Sequence, residues 1–542
     1  MQTTVHAAFT ATAARTPKAD FLFTESVTAA AYGIEAGATS WGTAAAQVEG
    51  LRTAYAKAGH GPGHRVGLLL ENRPAFLLHW FALNALGVSV VPISADMRSA
   101  ELVYLIGHSE IALVVTLPGR VDDLRAAATL AGVILDTMAP EAKQPVPPAR
   151  TSPPRAGLTV GRDTECALLY TSGTTGRPKG CMLDNAYFLR AGAWYAALDG
   201  VCSFARDTER VITPLPLNHV NAMAFSTMVV LVAGGCLVQL DRFHPTSWLH
   251  SARESRATIA HYLGVMPAML LSAPPSATDR AHLIRWGFGA GVDRRNHAPF
   301  EERFGFALVE AWAMTETGAA ACVMANHEPR HVGTSCIGQR EDFVDIRLVD
   351  DSLRDVAVNT PGELLVRSAG DDPKRSFFSG YLKDEDATRE AWLGGWFHTG
   401  DLVRRDAQGN LFFVDRKKNV IRRSGENISA VEVESVLNQH PAVKTSAVAA
   451  TPDVVRGDEV LACIVLRDDL DAGAPSVRAA SIVAHALAQL AYYKAPGYVA
   501  FVDALPLTAS QKIQRGQLRE LAQSLPGQAH CIDTRALKKR QG

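Results

Sequence analysis

Several things that this sequence has little of narrow the reading before any motif is considered. Its eight cysteines form no C-x-x-C pair and no Cys/His spacing suited to zinc, which points to reduced, packed thiols and away from a disulfide framework or a structural metal. Charge of one sign is also missing: 54 Lys and Arg face 55 Asp and Glu, for a formal net charge of -1. No broad field is therefore present to draw in nucleic acid or an anionic membrane. The most apolar stretch, Phe225 to Leu240, is shorter than the ~20 residues a bilayer crossing needs and is broken by Gly234 and Gly235. It reads as a buried helix, a glycine turn and a strand. The opening MQTTVHAAFTATAARTPKAD has no continuous apolar signal core, so export is not expected and the cytoplasm is. The closing LKKRQG is too short for a binding tail and reads as a frayed, solvated end. No internal repeat of fixed period occurs.

What is present is an ordinary globular composition, 47% hydrophobic and 20% charged, in 542 residues. That length exceeds a usual single core, so a large, subdivided domain plus a smaller one is expected. RVGLLL, VSVVPI and ALVVTL are short apolar runs, and between them AFLLHWFALNALG and SAELVYLIGHS carry helical spacing. Strands alternating with helices imply parallel βαβ layering with helices on both faces. The proline-rich QPVPPARTSPP, between Glu141 and Pro154, reads as a surface connector. From Thr360 the texture changes to GELLVRS, the turn-rich GGWFHTGD and DAQGNLFFVD, a β-rich lobe. After RKKNVIRRSGEN follow a helix in SAVEVESVLNQHP, strands in TSAVAATP and EVLACIVL, a helix over Ser481 to Leu490 and a closing strand in GYVAFVD. The expected fold class is α/β: a large N-terminal domain of layered βαβ subdomains plus the β-rich lobe, then a small α+β domain of about 120 residues.

The segment LLYTSGTTGRPKG, Leu168 to Gly180, concentrates glycines, hydroxyls and a lysine. Glycines let backbone N–H groups approach a ligand, hydroxyls add donors and the lysine adds charge, so the composition suits a phosphate chain. A polar surface turn is built from the same residues, and composition leaves both open. The common G-x-x-x-x-G-K-[ST] pattern fails, because Lys179 follows Pro178 and precedes Gly180. A Walker-type hydrolase loses support, while a differently shaped triphosphate loop behind the strand-like ECALLYTS does not.

Five ordered signatures then resemble one superfamily: YTSGTTGRPKG at 170–180, AWAMTETG at 311–318, GWFHTGD at 395–401, DRKKNVIRRSGENISAVEVE at 415–434 and LTASQKIQR at 507–515. They are similar to the acyl-adenylate-forming enzymes, which include acyl-CoA synthetases, peptide-synthetase adenylation domains and firefly luciferase, and together they span most of the chain. The resemblance implies that ATP and a carboxylate give an acyl-adenylate and pyrophosphate, and that a thiol then displaces AMP. It implies ATP, Mg²⁺ and coenzyme A as cofactors, an ATP- and acid-binding domain over 1–417, and a mobile C-terminal domain over 418–542 with its hinge near Lys418. The chemistry agrees, since a carboxylate attacking an α-phosphate against negative charge needs a metal, a phosphate cradle and a cation.

By the same resemblance, Thr171, Ser172, Gly173, Thr174, Thr175, Gly176 and Lys179 hold the triphosphate. Thr315 contacts phosphate and Glu316 places Mg²⁺, a hard cation needing oxygen ligands, although an acid at a helix start is also explained by the helix dipole. Glu310, Ala311 and Trp312 belong to the nucleotide site. Trp312 stands where the family usually has tyrosine and can still stack on adenine; Ala313, where glycine is common, narrows the acyl pocket. Gly289, Ala290 and Gly291 match the backbone that lines the adenine, and an ordinary tight turn explains them equally well. Asp401 matches the acceptor of the ribose hydroxyls, and Arg416 reaches the same sugar. Lys418 occupies the hinge, where a few residues absorb a large backbone change. Lys512 would bridge carboxylate and α-phosphate, completing a catalytic set with Glu316 and Thr315; Gln511 precedes it where glycine is usual. Arg423, Ser424, Gly425 and Glu426 match the turn of the pantetheine tunnel, with a structural hairpin as the alternative. His219, in PLPLNHVNAM, is substrate-proximal beside the acyl pocket.

The expected function is a free-standing carboxylate:CoA ligase acting on a small-molecule carboxylic acid, without nucleic-acid or membrane partners and compatible with a homodimer. Two alternatives stand beside it. A stand-alone adenylation enzyme would load a carrier protein, for which neither an appended carrier domain nor an acidic anchor for an amino-acid ammonium is visible. A noncatalytic nucleotide-binding relative is disfavoured by retention of Glu316, Asp401, Arg416 and Lys512. MPAMLLSAPPSATDRAHLIRWGFGAG and VDRKKNVIRRSGENIS are similar to crotonobetaine/carnitine:CoA ligases, which suggests a small or medium acid, carnitine-like or aryl.

Overall fold

Apolar runs without polar alternation belong where both faces of a sheet are covered. A computed structural model places Arg65–Leu69 between Ser89–Pro92 and Leu113–Thr116, all parallel and nearly all buried. The structure describes residues 2–97, 99–141, 145–171, 178–423, 426–453, 456–467, 473–490, 492–507 and 512–538. Helices Pro74–Ala85 and Ser99–Ser109 connect those strands, as the βαβ reading requires. They belong to a seven-stranded sheet that continues from Ser89–Pro92 through Glu165–Thr171 and Lys179–Asp184 to Gly380–Tyr381.

A second, eight-stranded sheet has a parallel centre in the order Cys236–Gln239, Arg210–Thr213, Ile259–Leu263, Trp286–Ala290 and Ala307–Trp312. Both sheets lie in the first of two compact units, which takes in the chain up to Ile346 and Val366–Phe397. The apolar stretch before Leu240 resolves as expected into helix Thr227–Ala233, two glycines at φ 84° and 107°, and strand Cys236–Gln239. A π-helical turn, Asn221–Ser226, precedes it. The proline-rich connector contains no described helix or strand between Met138 and Glu165.

The second unit contains Arg347–Leu365 and the chain from His398 onward. GGWFHTGD is less turn-rich than expected. Gly394 and Gly395 turn, and Phe397–Arg405 is a strand whose Phe397, Thr399, Asp401 and Val403 are buried in alternation. Period-two burial carries the strand through Gly400 although its backbone there is left-handed, at φ 66°. The strand pairs antiparallel with Leu411–Arg416.

A six-stranded sheet, with Ile421–Arg423, Gly457–Leu466 and Tyr498–Phe501 consecutive within it, forms the terminal α+β body. Helices Ala430–Leu437 and Pro475–Leu487 cover one face through Val433, Leu437, Ile482 and Val483. Helix Arg515–Ser524 covers the other through Leu518 and Ala522. The helix expected from Ser481 starts six positions earlier, where Pro475 opens it. The closing segment is not simply frayed: the Lys538 side chain is 1% exposed and its Nζ donates to Glu459 Oε1 at 2.6 Å. Residues 539–542 lie outside the described residues.

Candidate active site

Three segments emerge from the C-terminal edge of the parallel strands in the first unit, the edge at which open α/β sheets present their crevices. Trp286–Ala290 ends in Gly289 and Ala290 and runs into Gly291; Ala307–Trp312 runs into Ala313 to Glu316; and Arg210–Thr213 leads to His219. Gly289 is needed there, because a Cβ would overlap the carbonyl oxygen of Tyr262 on the neighbouring strand. Gly291 has φ 79°, a left-handed backbone that glycine adopts without steric cost. Ala290 and Gly291 are exposed, as a backbone that lines a ligand would be.

Glu310 holds that turn. Its Oε2 accepts from Gly291 N at 2.9 Å, while Oε1 accepts from Val292 N at 3.0 Å and from the Tyr262 hydroxyl at 3.1 Å. Burial raises the Glu310 carboxyl above the usual range, opposed by those two N–H donors. Both oxygens are thus engaged inside the protein, so Glu310 acts on any ligand through the backbone it fixes. Ala311 and Trp312 are buried beside it, and Ala313 is partly exposed.

The next turn is built from Met314 to Gly318, with Met314 N donating to Thr317 Oγ1 at 3.0 Å and Gly318 N to Met314 O at 2.9 Å. The carbonyl of Thr315 accepts from the Tyr187 hydroxyl at 2.8 Å. The Glu316 side chain is 6% exposed and its Oε1 accepts from the Tyr381 hydroxyl at 2.9 Å. Burial and, next, the Glu316 carboxylate raise the Tyr381 pKa, so this hydroxyl stays protonated and donates. The same ring carries the Lys179 ammonium 4.9 Å from its centroid, a cation–π distance. Tyr381 therefore ties together two residues read as ATP contacts from motifs more than a hundred positions apart. Sequence reading missed it, and the only signal was its place after Gly380, opposite Cys181 on the strand that Lys179 begins.

The glycine-rich loop hangs between paired strands whose terminal partners are Thr171 and Lys179. Ser172, Gly173, Thr174, Thr175 and Gly176 lie outside the described residues, as do Ser424 and Gly425 and the side chains of Lys418 and Glu426. His219 is exposed on a turn, and its carbonyl accepts from Met223 N at 3.1 Å.

In the second unit, strand register places Asp401 opposite Arg416, and Arg416 Nε lies 2.9 Å from Asp401 Oδ1. The carboxylate is buried while the guanidinium is 43% exposed, so one end of the pair is fixed and the other is reachable. Asp415 next door is structural, accepting from Ser429 Oγ at 2.9 Å and Val431 N at 3.2 Å at the start of helix Ala430–Leu437. Lys417 pairs with Glu363 at 2.9 Å and Asp351 at 3.0 Å, and Lys418 follows in the one-turn helix Lys417–Asn419. Arg423 is committed inward, its Nε donating to Glu459 at 2.9 and 3.0 Å. The Lys512 ammonium is held below its ordinary pKa by desolvation from the surrounding protein and then by the Arg416 guanidinium, although the residue keeps an exposed face.

Among the described residues no group of three His, Cys, Asp or Glu could hold a metal ion unaided. That suits Mg²⁺, which is commonly bound by one or two carboxylates together with substrate phosphates. Glu316 fits as such a carboxylate: the Tyr381 hydroxyl orients its Oε1, and the buried Cys181 thiol beside it is kept protonated by burial and then by the Glu316 charge.

The family described as AMP-binding enzyme matches residues 9–382, and the AMP-binding enzyme C-terminal domain matches 432–512. The sulfoacetate–CoA ligase of Cupriavidus necator is 31% identical over 496 residues, covering 89% of this chain and 92% of that one. A crotonobetaine/carnitine–CoA ligase of Escherichia coli is 28% identical over 470 residues, covering 84% and 88%. The fold is similar to that of ATP-bound MatB from Rhodopseudomonas palustris, with a TM-score of 0.79 at 24% identity over 96% of this chain and 99% of that one. Among the described residues no helix is long and apolar enough to cross a membrane.

Proposed function

The chain belongs to the AMP-binding enzyme family and is an ATP-dependent acid–thiol ligase, and we propose that its acid is a small or medium organic carboxylate activated as acyl-AMP and passed to coenzyme A. The observation that carries this reading is the junction at Tyr381, which links Glu316 to Lys179. It holds a carboxylate and an ammonium against one ring, the two charges that a metal ion and a polyphosphate would call for.

In the proposed sequence, Thr171 and Lys179 flank the phosphate grip, and Glu316 would hold Mg²⁺, which would supply neutralisation of phosphate charge. A carboxylate oxygen of the acid attacks the α-phosphorus, and the bond to pyrophosphate breaks. Lys512 offsets the charge that gathers on the pentavalent phosphorus. Asp401 accepts from the ribose hydroxyls, with Arg416 alongside. The thiolate of coenzyme A then attacks the acyl carbon, and AMP leaves with the electron pair of the cleaved C–O bond. The hinge at Lys418 and the domain limits 1–417 and 418–542 belong to the same proposal, as do carnitine-like and aryl acids as candidate substrates.

The test is a panel of carboxylic acids assayed for AMP formation with and without coenzyme A. Acid-dependent AMP that requires coenzyme A for sustained release is the expected result. Adenylate that stalls until a carrier protein is added would overturn the acceptor. Absence of ATP turnover with every acid would overturn the reading altogether.

A further inference from the structure

His261 is a fully buried histidine in the middle of a parallel strand, and nothing in the reaction above uses it. Its Nε2 lies 2.9 Å from the Tyr195 hydroxyl and its Nδ1 lies 2.6 Å from Asn221 Oδ1. Burial lowers its pKa to about 3, so the ring is neutral and carries one N–H. Asn221 Oδ1 can only accept, which places that proton on Nδ1 and leaves Nε2 to accept from Tyr195.

The reverse polarity fails for a physical reason. If the Asn221 amide nitrogen faced the ring, Nε2–H would donate to Tyr195, whose own hydroxyl proton would need another acceptor. Around that ring stand Phe288, Trp286 and Phe204, with centroids 5.1, 5.9 and 6.3 Å away. Among the described residues no second acceptor serves it, and an unpaired buried hydroxyl is costly. Tyr195 and His261 thus fix which way the Asn221 amide points: oxygen inward, Nδ2 outward.

Asn221 opens the π-helical turn Asn221–Ser226, two residues after His219, on the chain that leaves strand Arg210–Thr213. π-Turns are frequent at functional sites, and this one stands on the sheet edge from which Gly289 to Gly291 and Ala311 to Glu316 also emerge. The residue is partly exposed, and among the described residues nothing accepts from its Nδ2.

We propose that Asn221 determines acid specificity by presenting its Nδ2–H donors to an oxygen acceptor at the far end of the acid, with His261 and Tyr195 as positioning residues. This rests on the acid-activating reading and narrows it to acids that carry a second carboxylate, a sulfonate or a similar acceptor. A neutral amide donor offers nothing to a trimethylammonium head and is left unpaired against a hydrocarbon one.

Three isosteric acids separate these cases: sulfoacetate, 3,3-dimethylbutyrate and glycine betaine, each with homologues lengthened by one to three methylenes, and benzoate as the aryl control. AMP formation by the full chain is measured for each. The expected kcat/KM for the acceptor-bearing acid exceeds that of its hydrocarbon isostere by roughly a hundredfold, because a site built to hydrogen-bond rejects the analogue that lacks the partner. Asn221→Leu is expected to shrink that ratio at least about tenfold, and Asn221→Asp to move preference toward the betaine. His261→Leu is expected to shrink the ratio while leaving the KM for ATP in place, which general loss of structure would not do. A ratio between two acids on one preparation does not depend on the folded fraction. An unchanged ratio in Asn221→Leu, or turnover of benzoate, betaines or hydrocarbon acids without any acceptor-bearing acid, overturns the proposal while the ligase reading stands. No acid-dependent AMP with any acid overturns both.

Discussion

Tyr381→Phe isolates one hydrogen bond. The substitution keeps the ring beneath the Lys179 ammonium, 4.9 Å from its centroid, and removes only the hydroxyl that donates to Glu316 Oε1 at 2.9 Å. Glu316 is 6% exposed, so water replaces the lost donor poorly, and a hydrogen bond to a charged group of this kind contributes about 1.5–3 kcal/mol. If that energy orients the carboxylate for Mg²⁺, the concentration of Mg²⁺ giving half-maximal pyrophosphate release rises roughly tenfold to a hundredfold, at about 1.4 kcal/mol per decade. Tyr381→Leu, which also removes the ring, should add a rise in the KM for ATP that Tyr381→Phe does not share. The assay is acid-dependent pyrophosphate release titrated with Mg²⁺ at fixed ATP, with thermal denaturation run beside it. An unaltered Mg²⁺ midpoint in Tyr381→Phe, in protein as stable as the parent, would refute the orientation of Glu316 by Tyr381.

Gly289→Ala forces a Cβ onto the Tyr262 carbonyl oxygen, backbone against backbone, and should lower stability by about 1–3 kcal/mol; a urea midpoint equal to the parent's would contradict the close approach. Lys512→Ala should reduce acid-dependent pyrophosphate release by roughly a hundredfold or more while thioester formation from presynthesised acyl-AMP continues, and loss of both half-reactions together would count against its assignment to adenylation alone. Burial holds Lys538 at a pKa of about 8, below its ordinary 10.5, despite the opposing pull of Glu459. The unfolded chain then binds more protons between those values, so stability rises as pH climbs from about 8 toward 10.5. Lys538→Met should lose that rise, read as the difference between denaturation midpoints near pH 7.5 and near pH 10.

The fold was legible where the hydrophobic effect wrote it into local pattern. Val90, Val91, Val114 and Val115 are fully buried strand residues, and a run with no polar alternation has few other places to go. It was illegible where few residues carry the burial. Helix Arg515–Ser524 packs through little more than Leu518 and Ala522, too sparse a stripe to stand out in RGQLRELAQS. Lys538 reads as a solvated charge because lysine almost always is one, and only the distant Glu459, 79 positions earlier, gives it a reason to be buried.

The same distinction divides the site. Residue types fixed within one motif, such as Glu316 beside Thr315 or Asp401 after Gly400, can be proposed from sequence because their chemistry is local to the motif. Arrangements that depend on a partner elsewhere could not: Tyr381 lies 65 positions from Glu316, and Asn221 lies 40 from His261. Glu310 sharpens the point. A carboxylate within a nucleotide motif suggests a ligand contact, yet Gly291, Val292 and Tyr262 occupy its oxygens. The feature a ligand would meet is the exposed backbone at Ala290 and Gly291, and Glu310 matters because it keeps that backbone from moving. A motif residue can therefore be essential to a binding surface without being part of it. The discriminating observation is whether its polar atoms are already satisfied inside the fold, which no sequence pattern records.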